Sequence, residues 1–598
     1  MDTTAPSPTP AATRPWLASY PRGVPAEVDW QGCPSLKALL ERSCARFAGR
    51  PAFTSLGVTI SYAVLDALSR RFAAWLQHQP GVARGDRVAV MLPNTLQHPV
   101  CVFGALRAGM VVVNVNPMYT ASELQHQLNN SGATVLVVLE GFAHTAEQAV
   151  PGTTVRHVVV TQVGDLFPAP KRWLVNFVLR HVKHAVPDWE MPSAHSLHDV
   201  LAQGEHLPLQ DVALGPEDMA FIQYTGGTTG RPKGAVLTHG NLVANLEQVV
   251  AWTAGLLKDG EETVITALPL YHVFALTANL LVFLRLGGHN VLIPDPRDMP
   301  RFIDVLRHTP FTVITGVNTL FDALLKAPGF DEVARANRDR LKLAVAGGMA
   351  LLPTVSDRWQ ALMGKPIIEG YGLTETSPIV CANPVDATGC SGRLGLPVSS
   401  TDVAILDDQG QPCEPGRVGE IAVKGPQVMR GYWNAPAETA HTFTADGWLL
   451  TGDIGRFDEH GYVQFVDRKK DVIVVSGMKA FPAEIEDAVR LHPGVQDAAA
   501  VGVPDEHSGE AIALYVIASD PGLDAEALRQ HCATHLAPYK RPRRIEFRSE
   551  LPRTPIGKVL RRQLKEEARA EAPTPPSGDC PPGGLAQRTG EAGSAHAT

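Results

Sequence analysis

The chain has 598 residues, 44% of them apolar and 19% charged, with a net charge of −8. That length is too great for one hydrophobic core, so at least two domains are expected from an otherwise ordinary globular composition. The acidic balance excludes a general attraction to nucleic acid, and the eight cysteines (33, 44, 101, 381, 390, 413, 532 and 580) lack the spacing of a zinc site or a disulfide framework.

Residues 1–15 are rich in Thr, Pro and Ala, with no apolar run flanked by basic residues. They read as a disordered leader rather than a signal peptide. Residues 35–140 alternate helical and strand patterns. Leu36 to Phe47 and Tyr62 to Leu76 carry apolar residues at helical spacing, while 87–92, 111–115 and 134–139 are β-branched runs bounded by turn residues. The alternation predicts largely parallel α/β layers. Residues 171–186 are apolar but include Lys171, Arg172, Arg180 and Lys183. They read either as a surface helix covering the core or as an interfacial helix that meets anionic lipid.

An apolar strand at 219–223 then leads into Tyr224, Thr225, Gly226, Gly227, Thr228, Thr229, Gly230, Arg231, Pro232, Lys233 and Gly234. Glycines let backbone N–H groups close around an anion, hydroxyls add donors and Lys233 adds charge. Gly/Thr-rich runs are often plain connections. The P-loop of nucleoside triphosphatases fails on spacing, because its Lys is followed by Ser/Thr and runs straight into a helix. The run instead resembles the phosphate loop of the adenylate-forming superfamily (acyl-CoA synthetases, peptide-synthetase adenylation domains, luciferases). The resemblance implies a mobile loop on the β- and γ-phosphates of ATP.

Leu268 to His272 follows another strand. A histidine there is ordinarily structural or helix-capping, whereas the resemblance implies that His272 lies near the substrate carboxylate. The following residues to Leu284 suit an apolar tunnel wall or a core helix equally, but are too few to span a bilayer. Gly316 and Thr319 are small enough to leave space for a second wall. Gly347 and Gly348 end a strand and let a flat ring approach the backbone. In the run Glu369, Gly370, Tyr371, Gly372, Leu373, Thr374, Glu375, Tyr371 offers a face for adenine, Thr374 a hydroxyl for the α-phosphate and Glu375 a carboxylate for Mg²⁺. An all-β segment around Gly419 and Gly431, a small barrel or a distorted sheet, precedes Thr451-Gly452-Asp453. The resemblance puts Asp453 on the ribose hydroxyls. It makes 466–471 a hinge, with Arg468 on ribose or phosphate and Lys470 absorbing the rotation. Beyond it a compact α+β domain carries strands near 472–476, 498–503 and 511–518 and helices from Pro482 and Asp524. Lys558, in a Pro/Gly turn, is by resemblance the residue bridging acyl carboxylate and α-phosphate. From about residue 571 the composition predicts disorder.

These motifs keep the superfamily's order over about residues 15–570. The wording at 114–119, 315–321, 424–429 and 467–477 is similar to bacterial long-chain fatty acid–CoA ligases. The expected fold is α/β: an N-terminal AMP- and acyl-binding domain (16–467) of two helix-layered sheets with a small β-barrel-like subdomain, then a mobile C-terminal domain (468–570) and a disordered tail (571–598). The implied activity is formation of acyl-AMP and pyrophosphate from a fatty acid and ATP, then of acyl-CoA and AMP, with Mg²⁺ as cofactor and coenzyme A as co-substrate. Gly477 would leave room for the pantetheine arm. CoA brings its own thiol, so no protein nucleophile is needed. The rival readings are a fatty acyl-AMP ligase, a medium-chain or aryl acid–CoA ligase, and an inactive fatty-acid- or nucleotide-binding protein. A cytoplasmic location is expected, with peripheral contact on the inner membrane face and a homodimer left open.

Overall fold

The computed structural model describes residues 14–225, 232–476, 478–505, 508–554 and 557–570. Among the described residues four sheets form. In the eight-stranded sheet, Met219–Thr225, Val111–Asn114, Arg87–Met91, Ala133–Leu139, His157–Thr161 and His195–Ser196 run parallel, and Lys233–Thr238 and Gly431–Tyr432 add an antiparallel edge. The nine-stranded sheet has a parallel centre of Ile367–Gly372, Leu343–Gly347, Val313–Gly316, Thr263–Thr266, His289–Leu292 and Pro51–Ser55.

Both sheets are buried on two faces, which is why their strands read as continuous apolar runs. Period-two alternation assigns the faces. Val88 and Val90 point into the layer between the sheets while Ala89 and Met91 meet the outer helices, and Val264 and Ile265 divide likewise. Between the sheets lie the helices Leu36–Arg46, Tyr62–Gln77, Gln97–Arg107 and His239–Trp252 together with residues 273–286. Their starts are fixed locally. Ser35 and Ser61 accept backbone N–H bonds as N-caps, and Thr238 forms a capping box with Asn241. The helices Ala121–Ser131 and Ala143–Ala149 cover one outer face; Met299–His308, Asn318–Lys326, Phe330–Asn337 and Pro353–Met363 cover the other.

The all-β segment is an antiparallel sheet of Asp402–Leu406, Gly419–Lys424, Leu449–Phe457 and Val463–Arg468, its ladder interrupted by register shifts, whereas Gly431, expected in it, belongs to the eight-stranded sheet. The C-terminal sheet centres on Val495–Asp505 paired with Gly509–Ala518. Pro482–Arg490 and Ala525–His535 pack on one face and Arg561–Ala570 on the other.

Residues 273–286 form one helical run with a π-helical turn at Leu276–Leu281, and Leu276, Leu280, Leu281 and Phe283 are buried in the inter-sheet core. Of the two roles the sequence left open, the packing matches a core helix. The space expected at Gly316 is occupied, because a Cβ there would meet the Phe321 ring at 2.8 Å. Residues 169–182 form the helix Ala169–Phe177 and a π-helical turn at Val178–Val182, with no buried residue in either. Val175 packs against the core while Trp173, Leu174 and Phe177 stay exposed, so the segment covers the core along one side only.

Candidate active site

The site lies beyond the carboxyl ends of the parallel strands, the usual place for ligands in open α/β sheets. Four chain segments from the nine-stranded sheet reach it. Thr263–Thr266 leads to His272, Val313–Gly316 to Thr319, Leu343–Gly347 to Gly348, and Ile367–Gly372 to Thr374 and Glu375. The turn after Gly372 is so tight that a Cβ at 372 would collide with the Pro378 carbonyl. Gly348 has φ +79° with open space where a Cβ would stand, whereas a Cβ at Gly347 would lie 3.1 Å from the Phe274 ring and from the Gly370 carbonyl. The room for a flat ring is at Gly348.

The run at 224–234 bridges the antiparallel strands Met219–Thr225 and Lys233–Thr238, with Thr225 opposite Lys233. Lys233 thus opens a strand, and the P-loop geometry rejected on spacing is absent at the described ends. Gly226, Gly227, Thr228, Thr229, Gly230 and Gly477 lie outside the described residues. Tyr224 donates to Asn130 Oδ1 at 2.5 Å, and the Lys233 ammonium sits 5.3 Å from the centre of the Tyr432 ring.

Two more segments supply charge. Asp453 and Arg468 are cross-strand neighbours in the small β-sheet, with Arg468 Nε 3.7 Å from Asp453 Oδ1. Tyr371 donates its hydroxyl to Asp453 Oδ2 at 2.7 Å. The Thr451–Asp453 turn is fixed by a Thr451 hydroxyl bond to the Ile421 carbonyl (2.7 Å) and by the Gly452 N–H on Glu420 (3.0 Å). Burial raises the Asp453 carboxyl, and Arg468 and the Tyr371 hydroxyl oppose that rise.

The C-terminal domain delivers Lys558 into this group. A Cβ on Gly557 would stand 3.0 Å from Thr319 Oγ1 and 3.3 Å from Met349 Sδ, so the turn is seated on the large domain. Burial pushes the Lys558 ammonium down to about 8, helped by Arg468 and opposed by Asp453 and Glu375. His272 is pushed down to about 4, chiefly by burial and further by Lys558. Its Nδ1 accepts the Phe274 N–H at 3.3 Å, so it caps the following helix and carries its proton on Nε2. Lys470 lies in the turn after Val463–Arg468. Glu369 points elsewhere. Its carboxylate accepts from the Cys390 thiol at 3.4 Å and the Ser391 N–H at 3.2 Å, which steadies the 388–393 loop.

Glu375 suits a divalent cation. Its Oε1 accepts the Tyr432 hydroxyl at 2.7 Å, and its Oε2 has no hydrogen-bond partner among the described residues. One carboxylate oxygen left without a hydrogen bond fits Mg²⁺, which is held by one or two carboxylates plus substrate phosphates.

Several supporting residues were not identified from sequence. Asn94 Nδ2 donates to the Thr266 and Leu268 carbonyls, and its Oδ1 accepts the Leu270 N–H. Gln223 donates to the Tyr271 carbonyl at 2.7 Å and accepts from Asn114 at 3.1 Å. Together they hold the loop that presents His272. The available signal was a polar side chain inside or next to an apolar strand, since buried amides need partners.

The family model for AMP-binding enzymes matches residues 40–433, and that for the AMP-binding enzyme C-terminal domain matches 484–558. The chain is 50% identical to a long-chain-fatty-acid–CoA ligase of Escherichia coli O157:H7, over 93% of this chain and 98% of the relative. It is 46% identical to the same-named enzyme of Haemophilus influenzae, over 93% and 99%. Among solved structures, ATP-bound MatB from Rhodopseudomonas palustris superposes with TM-score 0.75 at 29% identity, covering 89% of this chain and 98% of MatB.

Proposed function

This chain belongs to the AMP-binding enzyme family, and from that premise we propose that it joins a long-chain fatty acid to coenzyme A with cleavage of ATP to AMP and pyrophosphate. The observation that carries the reading is Lys558, brought from the C-terminal domain into the charge field of Arg468, Asp453 and Glu375. A cation between two acidic groups and a nucleotide pocket suits a reaction between two anions.

A fatty acid carboxylate and the α-phosphate repel each other. Lys558 lies between them, so that a carboxylate oxygen attacks phosphorus while the bond to pyrophosphate breaks. Thr374 donates to the α-phosphate, Lys233 and the glycine-rich loop hold the outer phosphates, and the Nε2–H of His272 faces the acyl carboxylate. Tyr371 and Gly348 frame the adenine, while Asp453 and Arg468 receive the ribose. Glu375 and the phosphates would hold Mg²⁺, which would supply charge neutralisation for the departing pyrophosphate. Positioning and charge stabilisation carry such transfers. In the second half-reaction the CoA sulfur attacks the acyl carbonyl, its proton is lost to solvent, and AMP leaves. Residues 466–471 are the hinge that exchanges the two arrangements.

Purified protein should release pyrophosphate from a long-chain fatty acid plus ATP and, with CoA, yield the thioester. A panel of short, medium, long and aryl acids fixes the preference. Failure to form AMP from any acid would overturn the reading, and acyl-AMP that never passes to CoA would favour an acyl-AMP ligase.

The exposed segment at 169–183 supports a further partner, an anionic lipid surface. Trp173, Leu174, Phe177 and Val182 are 72%, 63%, 59% and 62% exposed. No ion pair is made by Arg172 or Lys183 among the described residues. An apolar face rimmed by cations is the pattern of an interfacial helix, and the substrate partitions into membranes. Among the described residues no helix is long and apolar enough to cross a bilayer.

A further inference from the structure

Glu375 is held by one short stretch of chain at two points. Met429 donates its backbone N–H to the Glu375 carbonyl at 2.8 Å, and the Tyr432 hydroxyl donates to Glu375 Oε1 at 2.7 Å. The same stretch forms the edge strand beside Lys233–Thr238, with Tyr432 opposite Ala235 and the Trp433 N–H on the Gly234 carbonyl at 2.8 Å. The ring of Tyr432 lies beneath the Lys233 ammonium, 5.3 Å from centre to nitrogen. One side chain therefore touches both the carboxylate suited to the cation and the lysine at the root of the phosphate loop. The edge strand fixes its backbone, and the Tyr432 N–H is anchored on Thr439 Oγ1 at 2.9 Å.

We propose that Tyr432 is a positioning residue that presets Glu375 for the divalent cation and Lys233 for the outer phosphates, linking the two before ATP arrives. The hydroxyl occupies Oε1 and leaves Oε2 for the cation, so Glu375 need not lose rotamer freedom when the cation binds. The ring face offers Lys233 an electrostatic resting place that a phosphate, with full charge, readily displaces. The two contacts separate by substitution. Phenylalanine keeps the ring and removes only the hydroxyl, whereas leucine removes both.

The inference rests on the ligase reading above, and the test separates the two. In pyrophosphate release, Tyr432→Phe should raise the half-saturating Mg²⁺ concentration by about tenfold, the scale of one hydrogen bond to a charged acceptor. The rate at saturating Mg²⁺ should change by less than about threefold on the same scale. Mn²⁺ binding in the presence of ATP, followed by electron paramagnetic resonance, should weaken by a matching factor without turnover. Tyr432→Leu should in addition weaken binding of ATP measured without a divalent cation, and Tyr432→Phe should not. Thioester formation from supplied acyl-AMP, which involves no pyrophosphate, should survive in both variants. An unchanged cation requirement in Tyr432→Phe, or equal losses in both half-reactions, would overturn the positioning role. A wild-type protein that releases no pyrophosphate would overturn the ligase reading instead.

Discussion

At the scale of single residues, the proposed chemistry turns on Lys558. Removing its ammonium in Lys558→Ala should slow acyl-AMP formation by about 10²–10³-fold, the loss seen when one transition-state donor is deleted. Thioester formation from supplied acyl-AMP should be spared, and equal loss in both halves would contradict the role. Its lowered pKa makes a second prediction. The charged form is needed, and burial holds the value near 8 in the free protein, so kcat/KM for adenylation should be level below about pH 8 and fall tenfold per unit above it. The residual activity of Lys558→Arg, whose guanidinium stays charged, should lack that limb. A wild-type profile flat to pH 9.5 would show that the ammonium is not enclosed as described. Lys558, Asp453, Arg468, Tyr371 and Glu375 could be nominated from sequence because each sits in a short motif, and the structure brings them together. Tyr432 could not, since its bond to Glu375 spans 57 residues and joins two sheets. Glu369 was legible as part of its motif, but no spacing tells that its carboxylate turns toward Cys390 and Ser391.

Elements were read where periodicity was strong. Leu36–Arg46 and Tyr62–Gln77 end within a residue of the helices expected from the sequence, and Val111–Asn114 and Ala133–Leu139 within a residue of the expected strands. Apolar periodicity could not separate a tunnel wall from a core helix at 273–286, because both present leucines to neighbours. Nor could it reveal the exposure of Trp173 and Phe177, which depends on how the helix is tied down. The ties are polar. Lys171 donates to the Leu56 carbonyl at 2.5 Å, Arg180 to Glu140 at 3.1 Å, and Asn176 accepts the Gly164 N–H at 2.9 Å. These bonds turn one side inward and leave the apolar side facing solvent. The division dictates the design of a lipid-binding test. Charge reversal at Lys171 or Arg180 would break the docking, so Arg172→Glu with Lys183→Glu, and separately Trp173→Ser with Phe177→Ser, are the informative pairs. Each should cut sedimentation with anionic vesicles by about tenfold or more, with pyrophosphate release from a water-soluble acid unchanged. Binding that persists in both double variants would discard the lipid contact.

For the whole molecule, the question is how one pocket serves two reactions. In this arrangement Lys558 is seated against Thr319 and Met349, and Lys479 reaches Asp408 across the domains at 2.9 Å. The latter pair is exposed and contributes little to holding the domains together. The connection is short. The strand Val463–Arg468 ends at a turn in which Asp471 N–H returns to the Arg468 carbonyl at 2.9 Å and Lys469 N–H to the Gly452 carbonyl at 2.9 Å. Lys470 is the residue between these two bonds, and its own N–H donates to no acceptor among the described residues. Proline at 470 therefore removes no hydrogen bond here, but it fixes φ and restricts residue 469 as well, which blocks a large rotation at this point. Lys470→Pro should accordingly keep acyl-AMP formation within a few-fold of wild type while slowing thioester formation by about a hundredfold, on the scale of a misplaced reacting group. Single-turnover measurement of each half-reaction checks this, with Lys470→Ala as the control that removes the charge but not the freedom. Normal thioester formation in the proline variant would place the swivel elsewhere in the chain.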